Sequence, residues 1–121
     1  MKCGFAREII TPKVGVPLCG YFDPRPNDGA FDELYIRVLA LETAEGGKCA
    51  ILSADVCFIA HDLIERCKAE MAKAGIDWAD QVIFSATHSH TATLPPIRTA
   101  SSGMIPMKNG FRHLPNAVPL P

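Results

Sequence analysis

Residues 49–90 read CAILSADVCFIAHDLIERCKAEMAKAGIDWADQVIFSATHSH, and the succession of periods within this stretch decides the fold. It opens on CAILSADV, apolar almost throughout up to Asp55, the pattern expected of a strand covered on both faces. Over residues 59–74 the period changes, and Leu63, Ile64, Cys67, Met71 and Ala74 fall on one stripe of a helix. The opposite face carries Glu65–Lys68 and Glu70–Lys73 at i,i+3, and Gly75 supplies the stop. QVIFSAT, residues 81–87, is a second apolar strand. Strand, helix and strand with short connections make a βαβ unit. Residues 49–55 and 81–87 are therefore expected to be parallel neighbours joined by a right-handed crossover.

Working outward, LYIRVLALET at 34–43 alternates, with Leu34, Ile36, Val38 and Ala40 on one face, and AEGGK follows as a turn. This strand is expected antiparallel beside 49–55, as a hairpin. Residues 1–10 suit a short strand. Between these strands, Pro12, Pro17, Pro24, Pro26, Gly15, Gly20 and Gly29 interrupt any period, so 10–33 reads as a long loop. Loops of such length in small domains are usually functional or disordered. The fold class that results is α/β: a mixed sheet with a β-hairpin and one βαβ crossover. From Leu94 onward six of the ten prolines crowd together and no Asp or Glu occurs after Asp80. The chain divides into an organised part, 1–93, and an irregular Pro-rich tail, 94–121.

At 121 residues the chain suits one domain at most, of a size that buries roughly 65% of its unfolded surface. Hydrophobic residues at 48% and charged residues at 21% are ordinary globular values. A net charge of -1 gives no electrostatic reason to expect nucleic acid or an anionic membrane as partner. No window approaches the apolar length of a membrane span, and the N-terminus lacks the apolar run of a signal peptide. The five cysteines, Cys3, Cys19, Cys49, Cys57 and Cys67, include no Cys-x-x-Cys pair and read as reduced core thiols. A cytoplasmic protein is the expectation.

The chemistry concentrates at the carboxyl ends of the two parallel strands, where ligands sit in open α/β sheets. Asp55 ends one strand, and His88-Ser89-His90 follows the other. If strand geometry continued through residue 90, the histidines would share a side, about 6–7 Å apart at the backbone. Two such imidazoles can converge on one cation, or one can ligate while the other holds substrate or moves a proton. The plain alternative is a polar loop with two exposed imidazoles. Asp55 reads either as a carboxylate orienting a ligating imidazole or as a turn or capping aspartate. Nothing beside Cys57 in sequence would activate its thiol. Thr11, Tyr21 and Arg25 can line a pocket from the long loop, and His61 and His113 read as solvated.

Four motifs in order, REIITPKVGVPLCGY, DELYIRVLALE, CAILSADV and VIFSATHSH, resemble the N-terminal segment of the neutral/alkaline non-lysosomal ceramidase family over about residues 4–91. The resemblance implies a zinc-dependent amide hydrolase. By position it makes His88 a zinc ligand and His90 the active-site residue that contacts substrate, a small-molecule amide and in the name-giving case a lipid. After the second histidine the family continues Ser-Gly-Pro, where this chain has Thr91-Ala92-Thr93. The family's other zinc ligands, a His, a Glu and a Tyr, come from regions farther downstream. The expectation is thus an incomplete N-terminal part of a larger hydrolase domain, inactive alone, either truncated or followed by a tail translated out of register. The rival expectation is a small non-enzymatic interaction module that associates through an exposed sheet edge, including with itself.

Overall fold

The computed structural model describes residues 1–93 and 118–119. In chain order the elements are β1 (Lys2–Ile9), β2 (Tyr35–Glu42), β3 (Lys48–Ala54), α1 (His61–Lys73), a 3₁₀ turn (Ala79–Gln81), β4 (Val82–Ala86) and β5 (Val118–Pro119). The sheet order is β4-β3-β2-β1-β5. β2 and β3 form the expected hairpin, Glu42 opposite Lys48 and Ile36 opposite Ala54. β3 and β4 are the expected parallel neighbours, Ala50 beside Val82 and Ala54 beside Ala86. The sheet is therefore mixed, with α1 as the crossover, an α/β fold. β1 lies antiparallel on the far side of β2, Phe5 opposite Leu39.

The helix ends as its composition dictates. Gly75 takes φ +86, a left-handed conformation that costs glycine nothing. Ile76 N–H then reaches Met71 C=O at 2.9 Å and Gly75 N–H reaches Ala72 C=O at 3.0 Å, which satisfies carbonyls left over at the helix end. Met71 and Ile76 both enter the core with Val38, Ala40, Ala50, Leu52, Ala54 and Val82. The outer pairs form as spaced: Lys68 Nζ lies 3.5 Å from Glu65 and Lys73 Nζ 2.7 Å from Glu70. Ala74 caps the helix exposed, outside the buried stripe.

One expectation fails. β3 is covered on one face only: Ala50, Leu52 and Ala54 are buried, while Ile51 is 44% exposed. The reason is that α1 packs on a single face, and no described element covers the other. Strand register then lines up Phe5, Leu39, Ile51 and Ile83 as one row across four strands. Their exposures, 62%, 39%, 44% and 62%, make that row an apolar surface stripe. The cysteines also divide. Cys19 and Cys57 are buried, Cys3 and Cys67 half-buried and Cys49 exposed, so Cys49 is not a core residue.

The loop between β1 and β2 is internally paired. Leu18 N–H donates to Arg25 C=O at 2.8 Å and Asn27 N–H to Val16 C=O at 3.0 Å. The buried Asn27 side chain adds bonds to Lys13 C=O at 3.0 Å and Val16 C=O at 2.9 Å. Of the Pro-rich tail, Val118–Pro119 pairs with Lys2–Cys3 on β1, and the rest lies outside the described residues. His113 falls there too.

Candidate metal centre

Because β3 and β4 are parallel neighbours, the loops that leave them emerge side by side. Thr87 N–H bonds Ala54 C=O at 3.0 Å, and Ser89 N–H bonds Val56 C=O at 3.2 Å. The strand does not continue to residue 90. β4 ends at Ala86, and His88 adopts φ 59, the single non-glycine residue with positive φ among the described residues. A side chain held there costs on the order of 1–3 kcal/mol, a form of strain that clusters at functional sites. The histidines thus meet through a turn, and the pleat plays no part.

The turn aims the ring of His88 back at the other loop. His88 Nδ1 lies 2.9 Å from Cys57 C=O. A carbonyl only accepts, so Nδ1 carries the proton and Nε2 keeps its lone pair. His88 Nε2 stands 3.4 Å from His90 Nε2, with the ring centroids 5.0 Å apart. That separation is long for a hydrogen bond. It matches the roughly 3.3–3.4 Å between two imidazole nitrogens on one tetrahedral zinc ion, each about 2.0–2.1 Å from the metal. Cys57, buried beneath the exposed histidines, brings the ligand atoms of all three residues within 4.8 Å of one another. A thiol and two imidazoles are a donor set suited to zinc.

The long loop closes over this pair. Leu18 bridges Thr93, and Cys19 N–H donates to Ala92 C=O at 2.8 Å. Gly20, at φ +83, lies so near His90 that a Cβ built there would stand 2.1 Å from Nδ1. Tyr21 meets the His90 ring edge-on with centroids 6.1 Å apart, and the Arg25 guanidinium lies 4.5 Å over the Tyr21 ring. Tyr21 and Arg25 therefore do border the site. Thr11 does not: its hydroxyl bonds Glu33 and accepts from Leu34 N–H at 2.8 Å, which closes the base of the loop. Burial, then a hydrogen bond with Cys57, pushes the Cys19 thiol up, so Cys19 is a neutral neighbour of that sulfur.

Asp55 is placed by other partners. Its carboxylate accepts from Tyr35 N–H at 3.0 Å and from Arg37 Nη1 at 2.7 Å. Desolvation opposes its charge, but the Tyr35 N–H, the Arg37 guanidinium and Thr87 together hold the carboxyl below its usual range. It ties β2 to Thr87, the residue before His88, and so supports the turn. His61 is exposed at the start of α1. Reading along the sequence missed Cys19, Gly20 and the sulfur of Cys57 as site residues. The Gly-Tyr pair in the long loop was the one local signal for this side of the site.

No protein-family model and no curated protein matches the chain. Among solved structures, the neutral ceramidase from Pseudomonas aeruginosa superposes with a TM-score of 0.70 over 77% of this chain, at 21% identity. The chain has the fold of part of a neutral ceramidase. It spans 16% of that protein's length. The likeness in three dimensions agrees with the resemblance carried by the four motifs. No helix among the described residues is long and apolar enough to cross a membrane.

Proposed function

We propose that the chain carries one side of the active site of a zinc-dependent amide hydrolase of the neutral ceramidase kind, acting on a small-molecule amide with a lipid amide as the substrate class. The supporting observation is the convergence of His88 and His90 at the carboxyl edge of this fold. His88 is the metal ligand, its Nε2 lone pair set by the Cys57 carbonyl. His90 faces substrate, held from behind by Tyr21, where it can receive or return a proton. Bound zinc would supply a water molecule of lowered pKa and polarise the amide carbonyl. The reading includes further ligands from outside these residues, and hence inactivity of the chain by itself. The thiols of Cys19, Cys49, Cys57 and Cys67 fit a reducing compartment, and the cytoplasm is part of the proposal.

Zinc titration of the purified chain tests this. One ion per chain, removable by chelator and lost in His88→Ala, is expected; zinc content indifferent to His88 would overturn it. Turnover of a long-chain N-acyl amide by the isolated chain, abolished by His88→Ala, would overturn the inactivity.

A second reading, an interaction module, is favoured by the Phe5–Leu39–Ile51–Ile83 stripe. It requires metal-independent, concentration-dependent association, and a strictly monomeric chain would exclude self-association.

A further inference from the structure

We infer that Arg25 sets the specificity of this site, and that the amide it takes carries a carboxylate, an N-acyl amino acid being the simplest such compound. The inference rests on the proposed hydrolase reading and narrows its substrate class. Three features carry it. First, the backbone holds Arg25 in one place. The ring of Pro24 fixes φ on one side, and Pro26 keeps the residue before it extended. Arg25 C=O accepts from Leu18 N–H at 2.8 Å, Pro17 bridges Pro26, and Leu18 in turn bridges Thr93, just beyond His90. The segment that carries Arg25 is thus fastened to the segment that carries the histidines.

Second, the side chain is aimed. Its guanidinium lies 4.5 Å over the Tyr21 ring, and the same ring meets His90 edge-on with centroids 6.1 Å apart. Tyr21 therefore spaces a fixed cation one ring away from the imidazole proposed to face substrate. A guanidinium stacked on an aromatic face keeps its N–H edge free, and that fork matches a carboxylate. Third, the charge is uncompensated. Arg25 forms no ion pair with any described residue, although Asp23 stands two positions away. Asp55, at the end of β3, already pairs with Arg37 at 2.7 Å. One guanidinium balances one negative charge, which favours a carboxylate over a phosphate dianion.

The test uses the full chain with N-hexanoylglycine and its uncharged counterpart N-hexanoylglycinamide, followed through the histidine imidazole signals in NMR. At low salt the acid should bind about fivefold more tightly than the amide and shift the His90 signals, and added salt should erode the preference. Arg25→Gln should abolish the preference with circular dichroism unchanged, and Arg25→Lys should restore part of it. Lys13→Gln, which removes the same charge at an exposed position of the same loop, should leave it intact. The comparison of acid with amide on the unmodified chain keeps the inference testable if Arg25→Gln does not fold. Equal binding of the two, binding of neither, a preference that survives Arg25→Gln, or one that disappears in Lys13→Gln overturns the inference. So does tighter binding of hexanoylaminomethylphosphonate than of the acid. Any of these, with zinc still lost in His88→Ala, leaves the hydrolase reading standing. Zinc binding indifferent to His88 brings down both.

Discussion

The Cα of Gly20 faces the His90 imidazole so closely that a Cβ at position 20 would lie 2.1 Å from Nδ1 and 2.3 Å from Cε1. The left-handed φ of +83 at Gly20 removes any easy escape for a larger residue. Gly20→Ala should therefore push the His90 ring off its position beside His88. The expected outcome is a shift of the His90 imidazole resonances and destabilisation of about 1 kcal/mol or more. Histidine NMR and urea unfolding check the two parts.

The backbone at His88 offers a comparison free of ligand chemistry. His88→Ala and His88→Gly both delete the imidazole, and only alanine must hold φ 59 with a Cβ. The glycine variant should be the more stable of the two, by about 1 kcal/mol. Equal urea midpoints at equal slopes would mean that the turn relaxes to negative φ.

Asp55 should make stability depend on pH in a defined direction. Its carboxyl is held below the usual range in the folded chain, by the Tyr35 N–H, Arg37 and Thr87 against desolvation. Its contribution is then fully present above the unfolded value of about 3.9 and is lost as pH falls through the lower folded value. Wild type should exceed Asp55→Asn by about 1–2 kcal/mol near neutrality. That gap should narrow only below about pH 4. A gap that closes between pH 5 and 7 would assign the effect to another group.

The two faces of β3 should respond oppositely to substitution. Leu52 is buried at 3% exposure, so Leu52→Ala should cost about 2–5 kcal/mol. Ile51, its neighbour in sequence, lies in the exposed stripe, and Ile51→Lys should cost little while lowering association in sedimentation velocity. A collapse of stability in Ile51→Lys would mean that the stripe is packed in solution.

Those two residues also show what could be read from the chain. Helix α1 was legible because period, charge pairs and Gly75 all pointed one way, and Met71 and the Glu65–Lys68 and Glu70–Lys73 pairs stand where spacing put them, while Ala74 falls outside the buried stripe. The parallel pairing of β3 with β4 followed from connection lengths alone. Burial of both faces of β3 did not follow, since an apolar run records what a strand can be covered by and not whether the covering element is at hand.

At the site, the pairing of His88 with His90 was visible, but by a mistaken route. A strand was expected to present both rings, and the φ 59 turn does so instead. One conformational inversion at a single residue leaves no periodic trace. Asp55 drew notice for its place at a strand end, and its partners Arg37 and Tyr35 lie on the adjacent strand, a relation that only register reveals. Cys57 and Cys19 were invisible as a pair because contact between loops far apart in sequence has no local signature.

The strap in which Leu18 bridges Thr93 and Cys19 bonds Ala92 has a kinetic consequence. It joins a segment near the start of the chain to one beyond the last long strand, so its loop-closure entropy is met only after the hairpin and crossover have formed. The histidine pair is therefore the last part to be assembled and the first to come apart. In rising denaturant, the affinity for a metal ion should fade while the helix still gives its full circular dichroism.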